Sequence, residues 1–453
     1  MTARTRRGFA AVIAAAALAL SGCGLGPTEP SPDRAGSCTI TGPAADGTAL
    51  TGEPSGRIVF QTTALKQDFS DYFEGVIAAF EEKYPDTEIV WQDDPGDASF
   101  TQRLVTDAMG CSLPDVVNLN TTTAYALYKY NFLLNLSTAA PEVGDDFLPS
   151  LWDSLLFPDD ADHYVMPWYW GLLGLQTYNK ELMLEAGLDP ENPPTTFAEQ
   201  FAAAEKIGDD AGGDYTAFVA NPRTRVPSDW QMMEAEIMNE DQTEFTFGDD
   251  QRVIDWLTQF RAAFASGGLP TDTLSSDTDV TQLYSTGDLV WGSTNGSYLR
   301  YVQETNASVY EKTGAAPLVD TGGRGLVDSQ LIAVPTTSKN PVTAVAFATF
   351  LLSPENQSAF VSDPRISNFP STTESMEIPK FTEVNGTAPL DEALRVSVEL
   401  AKDAESSALY PWSDSINSAV LAELQLAIAG RKSPEQALQD AQRKANTILQ
   451  TED

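Results

Sequence analysis

The fold class follows from residues 57–119, which read RIVFQTTALKQDFSDYFEGVIAAFEEKYPDTEIVWQDDPGDASFTQRLVTDAMGCSLPDVVNL. The β-rich run 58–60 is followed by apolar residues at helical spacing from Phe69 to Tyr84, with Ser70 as the predicted N-cap. A strand at 88–92, a helix at 99–109 and a strand at 116–119 come next. This alternation predicts an α/β fold, in which helices cover a parallel sheet.

Polar segments follow the first and third of these strands, QTTALKQ at 61–67 and NLNTT at 118–122. Ligands of open α/β sheets bind at the carboxyl ends of the strands. The candidate ligand contacts from these segments are Lys66, Gln67, Asn120 and Thr121. The alternative is that they are ordinary turn residues, which are polar in any protein.

Three later segments carry the apolar spacing of helices, namely 250–264, 343–352 and 434–449. The last of them is predicted to turn five apolar residues inward: Ala437, Leu438, Ala441, Ala445 and Leu449. No repeat with a fixed period is visible.

The overall composition excludes several classes of protein. A chain of 453 residues is expected to form two domains or lobes, and 42% apolar residues argue against global disorder. A formal charge of −38 makes a nucleic-acid partner unfavourable, because phosphates would be repelled. With one histidine and three cysteines, the chain offers no multi-histidine metal site or zinc finger, so we expect no metal and no cofactor.

The N-terminus carries the pattern of an export signal. The basic segment 1–7 precedes 13 apolar residues (8–20), too few to span a bilayer. The next residues, LSGC at 20–23, resemble the bacterial lipobox, which implies a signal peptide at 1–22 and a lipid on Cys23. The alternative is an ordinary signal peptide with a chance cysteine. Loss of three arginines would take the mature charge from −38 to −41, so membrane attachment is expected through the lipid alone.

Residues 23–56 are predicted to form a flexible, lipidated tether. Twenty of the 33 residues in 24–56 are Gly, Pro, Ser or Thr. Outside the cytoplasm, the two remaining thiols, Cys38 and Cys111, are expected to form a disulfide that pins the tether to the first lobe. Two free thiols are the alternative.

Several segments together resemble the substrate-binding lipoproteins of ABC importers, in the carbohydrate-binding group related to maltose-binding protein. The segments that carry this resemblance, in chain order from about residue 57 to residue 450, are FEEKYP (80–85), AMGCSLPDVV (108–117), YVMPW (164–168), YNKEL (178–182), EAGLD (185–189), PPTTF (193–197), YSTGDLV (284–290), GGR (322–324), LIAVP (331–335), KNP (339–341), SPENQ (353–357) and GRKSPEQAL (430–438).

The resemblance implies a two-lobed periplasmic-binding-protein fold with a hinge and an interlobe ligand cleft. Lobe one would comprise 57–170 plus 330–372, and lobe two 171–329 plus 373–453, with chain crossings near 170–176, 326–330 and 370–380. It also implies a monomeric, non-enzymatic receptor outside the cytoplasm. Such a receptor captures a mono- or oligosaccharide and delivers it to permease subunits, which work with an ATPase.

Aromatic faces and amide groups are what a sugar site requires. At positions where the resembling family lines its cleft, the candidates are Trp168, Trp170, Trp230, Asn295, Tyr298, Gln330 and Trp412. Tryptophan is common in the family where this chain has Ser297 and Tyr298. For each aromatic residue, packing inside a lobe is the alternative.

Other functions find less support in the sequence. Acidic clusters at 93–97, 159–162 and 209–210 lack the spacing of an EF-hand loop and are interpreted as surface charge. A secreted glycoside-active enzyme would need a carboxylate pair, which composition permits, but no Ser nucleophile elbow, HExxH motif or P-loop is present. An adhesive or chaperone-like lipoprotein is a third possibility, and a glycerol phosphodiester is an alternative solute.

Overall fold

The first strand, β1, buries Ile58 and Phe60 on one face, as a central strand should. The computed structural model describes residues 48–97, 99–220, 225–273, 279–294, 296–320 and 323–452. Its elements up to residue 153 are β1 (Gly56–Thr63), α1 (Lys66–Lys83), β2 (Thr87–Asp94), α2 (Phe100–Met109), β3 (Val116–Asn120), α3 (Thr121–Lys129), α4 (Leu136–Ala139) and α5 (Pro149–Asp153).

The middle of the chain crosses between the lobes and builds most of the second one. Its elements are β4 (Met166–Leu173), β5 (Leu175–Asn179), α6 (Lys180–Glu185), α7 (Phe197–Asp210), α8 (Ser228–Met232), a 3-10 turn (Phe247–Asp249), α9 (Gln251–Ala265), α10 (Val280–Thr286), α11 (Leu299–Thr305), α12 (Ala307–Glu311) and β6 (Thr313–Pro317).

The last third returns to lobe one and ends in lobe two. Its elements are β7 (Leu326–Ala333), α13 (Pro341–Leu351), α14 (Pro354–Ser362), β8 (Phe369–Pro370), α15 (Thr373–Met376), α16 (Pro379–Thr382), α17 (Pro389–Ala401), β9 (Glu405–Ser406), α18 (Asp414–Ile428) and α19 (Pro434–Glu452).

Lobe one is built on a mixed sheet in the order β2-β1-β3-β7-β4-β8, with β9 beside β7. Strands β1, β2 and β3 are parallel, while β7 runs antiparallel to both β3 and β4. The predicted parallel arrangement of the first three strands is confirmed. One detail was wrong: α1 begins at Lys66 and kinks at Phe69, so Ser70 is not its N-cap.

The hinge is formed where two strands pass from one lobe to the other. Strand β4 continues into β5 at Gly174, whose φ of 110° is unfavourable for other residues. Strand β6 leads back to β7, and β5 pairs with β6 as the small sheet of lobe two. In the hinge, Leu172 and Leu173 pair with Val327 and Leu326.

After β8, Met376, Ile378 and Phe381 pack against the core that contains Ile58 and Phe60 of β1. Helix α17 then contacts both lobes, because Ala393 joins a lobe-two cluster while Leu400 packs on the lobe-one core. Among the described residues, no helix is long and apolar enough to cross a membrane.

Candidate ligand cleft

The carboxyl ends of the lobe-one strands meet at the edge of the sheet that faces lobe two. Asn120, the last residue of β3, pairs with Gln330, and this is the β3–β7 pair that lies nearest the hinge. On the other side, Trp291 pairs antiparallel with Tyr178 of β5, so the segment around 289–291 runs back toward the hinge. The chain that follows it therefore approaches lobe one, and these two edges are the candidate walls of a ligand cleft.

Contacts between the lobes flank this cleft. The Tyr410 ring, on the lobe-two segment after β9, lies 5.2 Å from the Tyr125 ring and 5.3 Å from the Phe157 ring of lobe one. Nearby, Lys129 Nζ of α3 donates to the Glu452 carbonyl oxygen at 2.7 Å. A third contact joins Arg300 Nε of α11 to the Pro364 carbonyl oxygen at 3.1 Å.

The lobe-one side of the cleft presents a polar strand face. Buried Asn118 donates from Nδ2 to Gln330 Oε1 at 3.1 Å. Two residues along β7, the Asp328 side chain is solvent-accessible, yet desolvation by the surrounding protein raises the pKa of its carboxyl group. Tyr169 of β4 has a pKa raised mainly by burial and further by the charge of Asp328, which indicates that the two side chains lie close together.

Both lobes contribute buried polar atoms that have no hydrogen-bond partner. Among the described residues these atoms include Thr63 Oγ1 of lobe one, and Gln231 Oε1 and the Tyr410 hydroxyl of lobe two. Burial also raises the pKa of Tyr410 to about 12. Unpartnered buried polar atoms are costly, so a hydroxylated ligand that satisfied them would be bound favourably.

The β1–α1 loop, which carries two predicted ligand contacts, is held by Asp93. Its carboxylate accepts from Thr62 Oγ1 at 2.6 Å, from Leu65 N at 3.1 Å and from Lys66 N at 3.2 Å. Lys66 and Gln67 themselves are exposed in the first turn of α1. Lys66 Nζ also donates to the Trp91 carbonyl oxygen at 3.1 Å, so its cation lies toward β2.

The other polar candidates of lobe one lie at the same edge. Asn120 is the N-cap of α3, where its side chain accepts from Thr123 N at 2.8 Å. Thr121 is half-buried in the first turn of that helix. The capping bond occupies one lone pair of the Asn120 oxygen and leaves its Nδ2 group for other contacts.

Two predicted stacking residues, Trp168 and Trp170, belong to the core of lobe one. The Trp168 side chain has 0% exposure and stacks on Phe360 at 5.5 Å. Trp170 stacks on Phe369 at 4.5 Å and donates from Nε1 to the Pro370 carbonyl oxygen at 2.9 Å. The prediction is corrected because rings packed this way offer no face to a ligand; Tyr169 between them is half-buried, with its ring 5.3 Å from that of Phe360.

Trp230 and Trp412 are corrected in the same way. Their ring centroids lie 6.0 Å apart inside the core of lobe two, where Phe247 contacts both rings. Trp412 also donates from Nε1 to Asn417 Oδ1 at 3.1 Å. The aromatic ring of this segment that contacts lobe one is Tyr410, two residues earlier.

Tyr298 also points into lobe two rather than into the cleft. Its hydroxyl lies 2.5 Å from Thr177 Oγ1, and its ring meets Tyr284 edge-on at 5.5 Å. Gly292 makes room for it, since a Cβ there would lie 2.0 Å from the hydroxyl oxygen. The remaining candidate on this loop, Asn295, lies outside the described residues.

A buried ion pair lies among the core aromatic residues of lobe two. Arg225 Nε lies 2.6 Å from Asp229 Oδ2, which also accepts from Trp256 Nε1 at 3.0 Å. The guanidinium stacks against three phenylalanine rings at 5.0–5.4 Å. Burial raises the pKa of Asp229, and the charge of Arg225 opposes that rise.

Two further groups complete the comparison with the sequence predictions. Cys111 is disulfide-bonded, whereas Cys23 and Cys38 lie outside the described residues. In the acidic cluster 93–97, Asp94 and Asp97 bind Arg103 at 2.6 Å each. Asp160 of the second cluster accepts from the Tyr128 hydroxyl at 2.7 Å.

Sequence reasoning missed Tyr169, Asn118, Gln231 and Tyr410. The two-residue period of a strand does not identify Tyr169, because β4 is irregular between Pro167 and Trp170 and the rings of Trp168 and Tyr169 both pack against Phe360. The sequence likewise does not show which of the aromatic residues 410 and 412 packs inside lobe two and which contacts lobe one. No pattern in the sequence identifies Gln231, because it lies in a helix of only five residues, Ser228–Met232, directly after Trp230.

Comparison with known proteins agrees with this architecture. The family model for bacterial extracellular solute-binding proteins matches residues 64–358. A search of proteins with curated functions gave no match.

Solved structures share the fold at low sequence identity. A protein from Synechococcus sp. MITs9220, described as an oligosaccharide periplasmic-binding protein and solved with zinc, is 24% identical with a TM-score of 0.75, covering 87% of this chain and 99% of its own. The GacH receptor of Streptomyces glaucescens GLA.O, solved unliganded and with acarbose, is 18% identical with a TM-score of 0.70, and the match covers 88% of this chain and 99% of the receptor.

A third structure is Lmo0181 from Listeria monocytogenes in complex with cycloalternan. It is 19% identical with a TM-score of 0.70, and the match covers 87% of this chain and 99% of Lmo0181. These likenesses confirm the predicted two-lobed α/β fold. With more than half of its residues matched by the family model, the chain belongs to the bacterial extracellular solute-binding protein family.

Proposed function

We propose that this protein is the solute receptor of an ABC importer and that it captures a carbohydrate between its two lobes. The observation that carries the proposal is that both lobes supply buried polar atoms without a partner among the described residues, one of which is the hydroxyl of Tyr410, whose ring contacts Tyr125 of lobe one. A sugar offers many hydroxyl groups for such atoms and an apolar ring face for tyrosine. Two of the similar structures hold oligosaccharides, acarbose-type and cycloalternan, which supports the same class.

Capture would work as a population shift without chemistry. A ligand that contacts both lobes stabilises only the closed form, and a permease would recognise that form and accept the sugar. The account therefore expects binding without turnover. Incubation with oligosaccharides followed by chromatography checks this, because new products would contradict a receptor function.

A thermal-shift panel tests the ligand class. At about 100 times its Kd, a ligand of the native state adds about 2.7 kcal/mol to the free energy of unfolding, which raises Tm. We expect maltotriose, acarbose or cycloalternan to raise Tm, and glycerophosphocholine to leave it unchanged. If only glycerophosphocholine raised Tm, the ligand would be a phosphodiester and not a sugar. If none of these compounds raised Tm, the result would contradict the proposal.

Attachment outside the cell is part of the same proposal. We propose that residues 1–22 are a signal peptide, that Cys23 carries the lipid, and that Cys38 is the disulfide partner of Cys111. Intact-mass measurement and non-reducing peptide mapping of protein extracted from membranes test both modifications. An unmodified residue 23, or a disulfide-linked peptide pair that contains Cys23, would contradict this arrangement.

A further inference from the structure

The side-chain amide of Asn118 has an orientation that its surroundings dictate. Asn118 lies on β3 with 0% exposure, and its Nδ2 group donates to the Leu331 carbonyl oxygen at 3.3 Å. A backbone carbonyl can only accept, so the nitrogen of this amide must be on that side. The same Nδ2 group donates to Gln330 Oε1 at 3.1 Å.

That bond decides which end of Gln330 reaches the cleft. An NH₂ group cannot accept a hydrogen bond, so only the oxygen of Gln330 can face Asn118. Gln330 is half-buried at the carboxyl edge of β3, opposite Asn120. Its Nε2 group has no acceptor among the described residues and is not enclosed, so it remains available at the cleft.

A second polar group stands on the same face of β7. Residues two apart on a strand share a face and are separated by roughly 6.6 Å. Asp328 is therefore the same-face neighbour of Gln330, with an accessible carboxylate that has no cationic partner among the described residues. The strand thus offers a donor at position 330 and an acceptor at position 328.

We propose that Asn118 is a positioning residue that fixes the Gln330 amide so that its Nε2 group donates to an acceptor oxygen of the bound sugar, while Asp328 accepts from a sugar hydroxyl. The inference rests on the proposed function. It makes the order of donor and acceptor along the ligand a determinant of specificity. It also disfavours anionic solutes, because an acid group beside Asp328 would meet a like charge.

A double-mutant cycle tests the coupling, with maltotriose as the probe and calorimetric Kd as the readout. Gln330→Leu should weaken binding by about 10- to 100-fold, because a ligand acceptor loses its donor. Asn118→Leu, which preserves the side-chain volume, should weaken binding by about 3- to 10-fold, because the Gln330 amide is then free to turn. In the Gln330→Leu background, Asn118→Leu should have no further effect on Kd.

A matched control separates positioning from a general loss of structure. Asn179→Leu removes another buried amide, at the N-cap of α6 in lobe two, and should change Kd by less than about 2-fold. If Asn118→Leu weakens the Gln330→Leu variant as much as it weakens the native protein, Asn118 acts on the structure at large and the inference fails.

A ligand-free crystal structure at a resolution that distinguishes amide oxygen from nitrogen gives a second readout. The inference expects Gln330 Oε1 toward Asn118 in the native protein, and a reversed amide would overturn it whether or not a sugar binds. If the amide stands as described but no sugar in the thermal-shift panel binds, the proposed function fails and the donor role toward a sugar falls with it.

Discussion

Replacing Arg225 by methionine is expected to lower the free energy of unfolding of lobe two by about 3–5 kcal/mol. The change leaves the Asp229 carboxylate buried, with Trp256 Nε1 as its remaining side-chain donor and no cation. It also removes the guanidinium from the three phenylalanine rings around it. Urea unfolding followed by tryptophan fluorescence measures the effect.

Arg324→Met is the matched control, because it removes the same charge from a pair with Glu405 in which both side chains are more than half exposed (56% and 60%). We expect Arg324→Met to lower the free energy of unfolding by less than about 1 kcal/mol. If Arg225→Met lowered the free energy of unfolding no more than Arg324→Met does, the buried pair would not stabilise the lobe.

The Arg225→Met deficit should also depend on pH. The pKa of Asp229 is raised in the folded protein, so the folded state binds that proton more tightly than the unfolded state. Ionisation of Asp229 therefore costs stability as pH rises above its unfolded value of about 4. Without Arg225 the folded-state pKa rises further, and the deficit should be larger at about pH 8 than at about pH 5. A deficit that grew toward low pH would contradict this assignment.

Replacing Tyr410 by alanine is expected to raise the Kd for a bound sugar by about 30- to 1,000-fold, or about 2–4 kcal/mol. The ring crosses from lobe two to Tyr125 and Phe157 of lobe one, and its hydroxyl is buried without a partner among the described residues. Removing it takes away both an interlobe contact and a proposed ligand contact. Calorimetry with maltotriose measures the loss.

Trp412→Leu serves as the contrasting variant. Trp412 packs inside lobe two, so its truncation should lower the free energy of unfolding by about 3 kcal/mol while the remaining folded protein keeps its Kd. Tyr410→Ala should show the opposite pattern, with a weakened Kd and a small change in stability. If Trp412→Leu changes Kd strongly and Tyr410→Ala does not, the reassignment from Trp412 to Tyr410 is wrong.

The fold was predictable because each strand and helix of lobe one carries its own periodic pattern. The five residues predicted to face inward on the last helix, from Ala437 to Leu449, are all buried. Asn120 and Gln330, two candidate ligand contacts from distant parts of the sequence, lie opposite each other in the sheet. The local spacing of apolar residues was therefore enough to predict these helices and strands and the buried face of the last helix.

The side chains of the site were less predictable because burial of an aromatic ring depends on contacts distant in sequence. Trp168 is covered by Phe360, and Tyr298 turns inward because Gly292 lacks a side chain. Neither relation can be inferred from the neighbouring residues. The Asn118–Gln330 bond likewise joins residues separated by 212 positions.

Small-angle X-ray scattering with and without saturating maltotriose measures whether the two lobes close on a solute. We expect a smaller radius of gyration in the presence of the sugar, and a smaller effect for Tyr410→Ala at the same sugar concentration. A sugar that binds to the native protein without any change in the radius of gyration would contradict it.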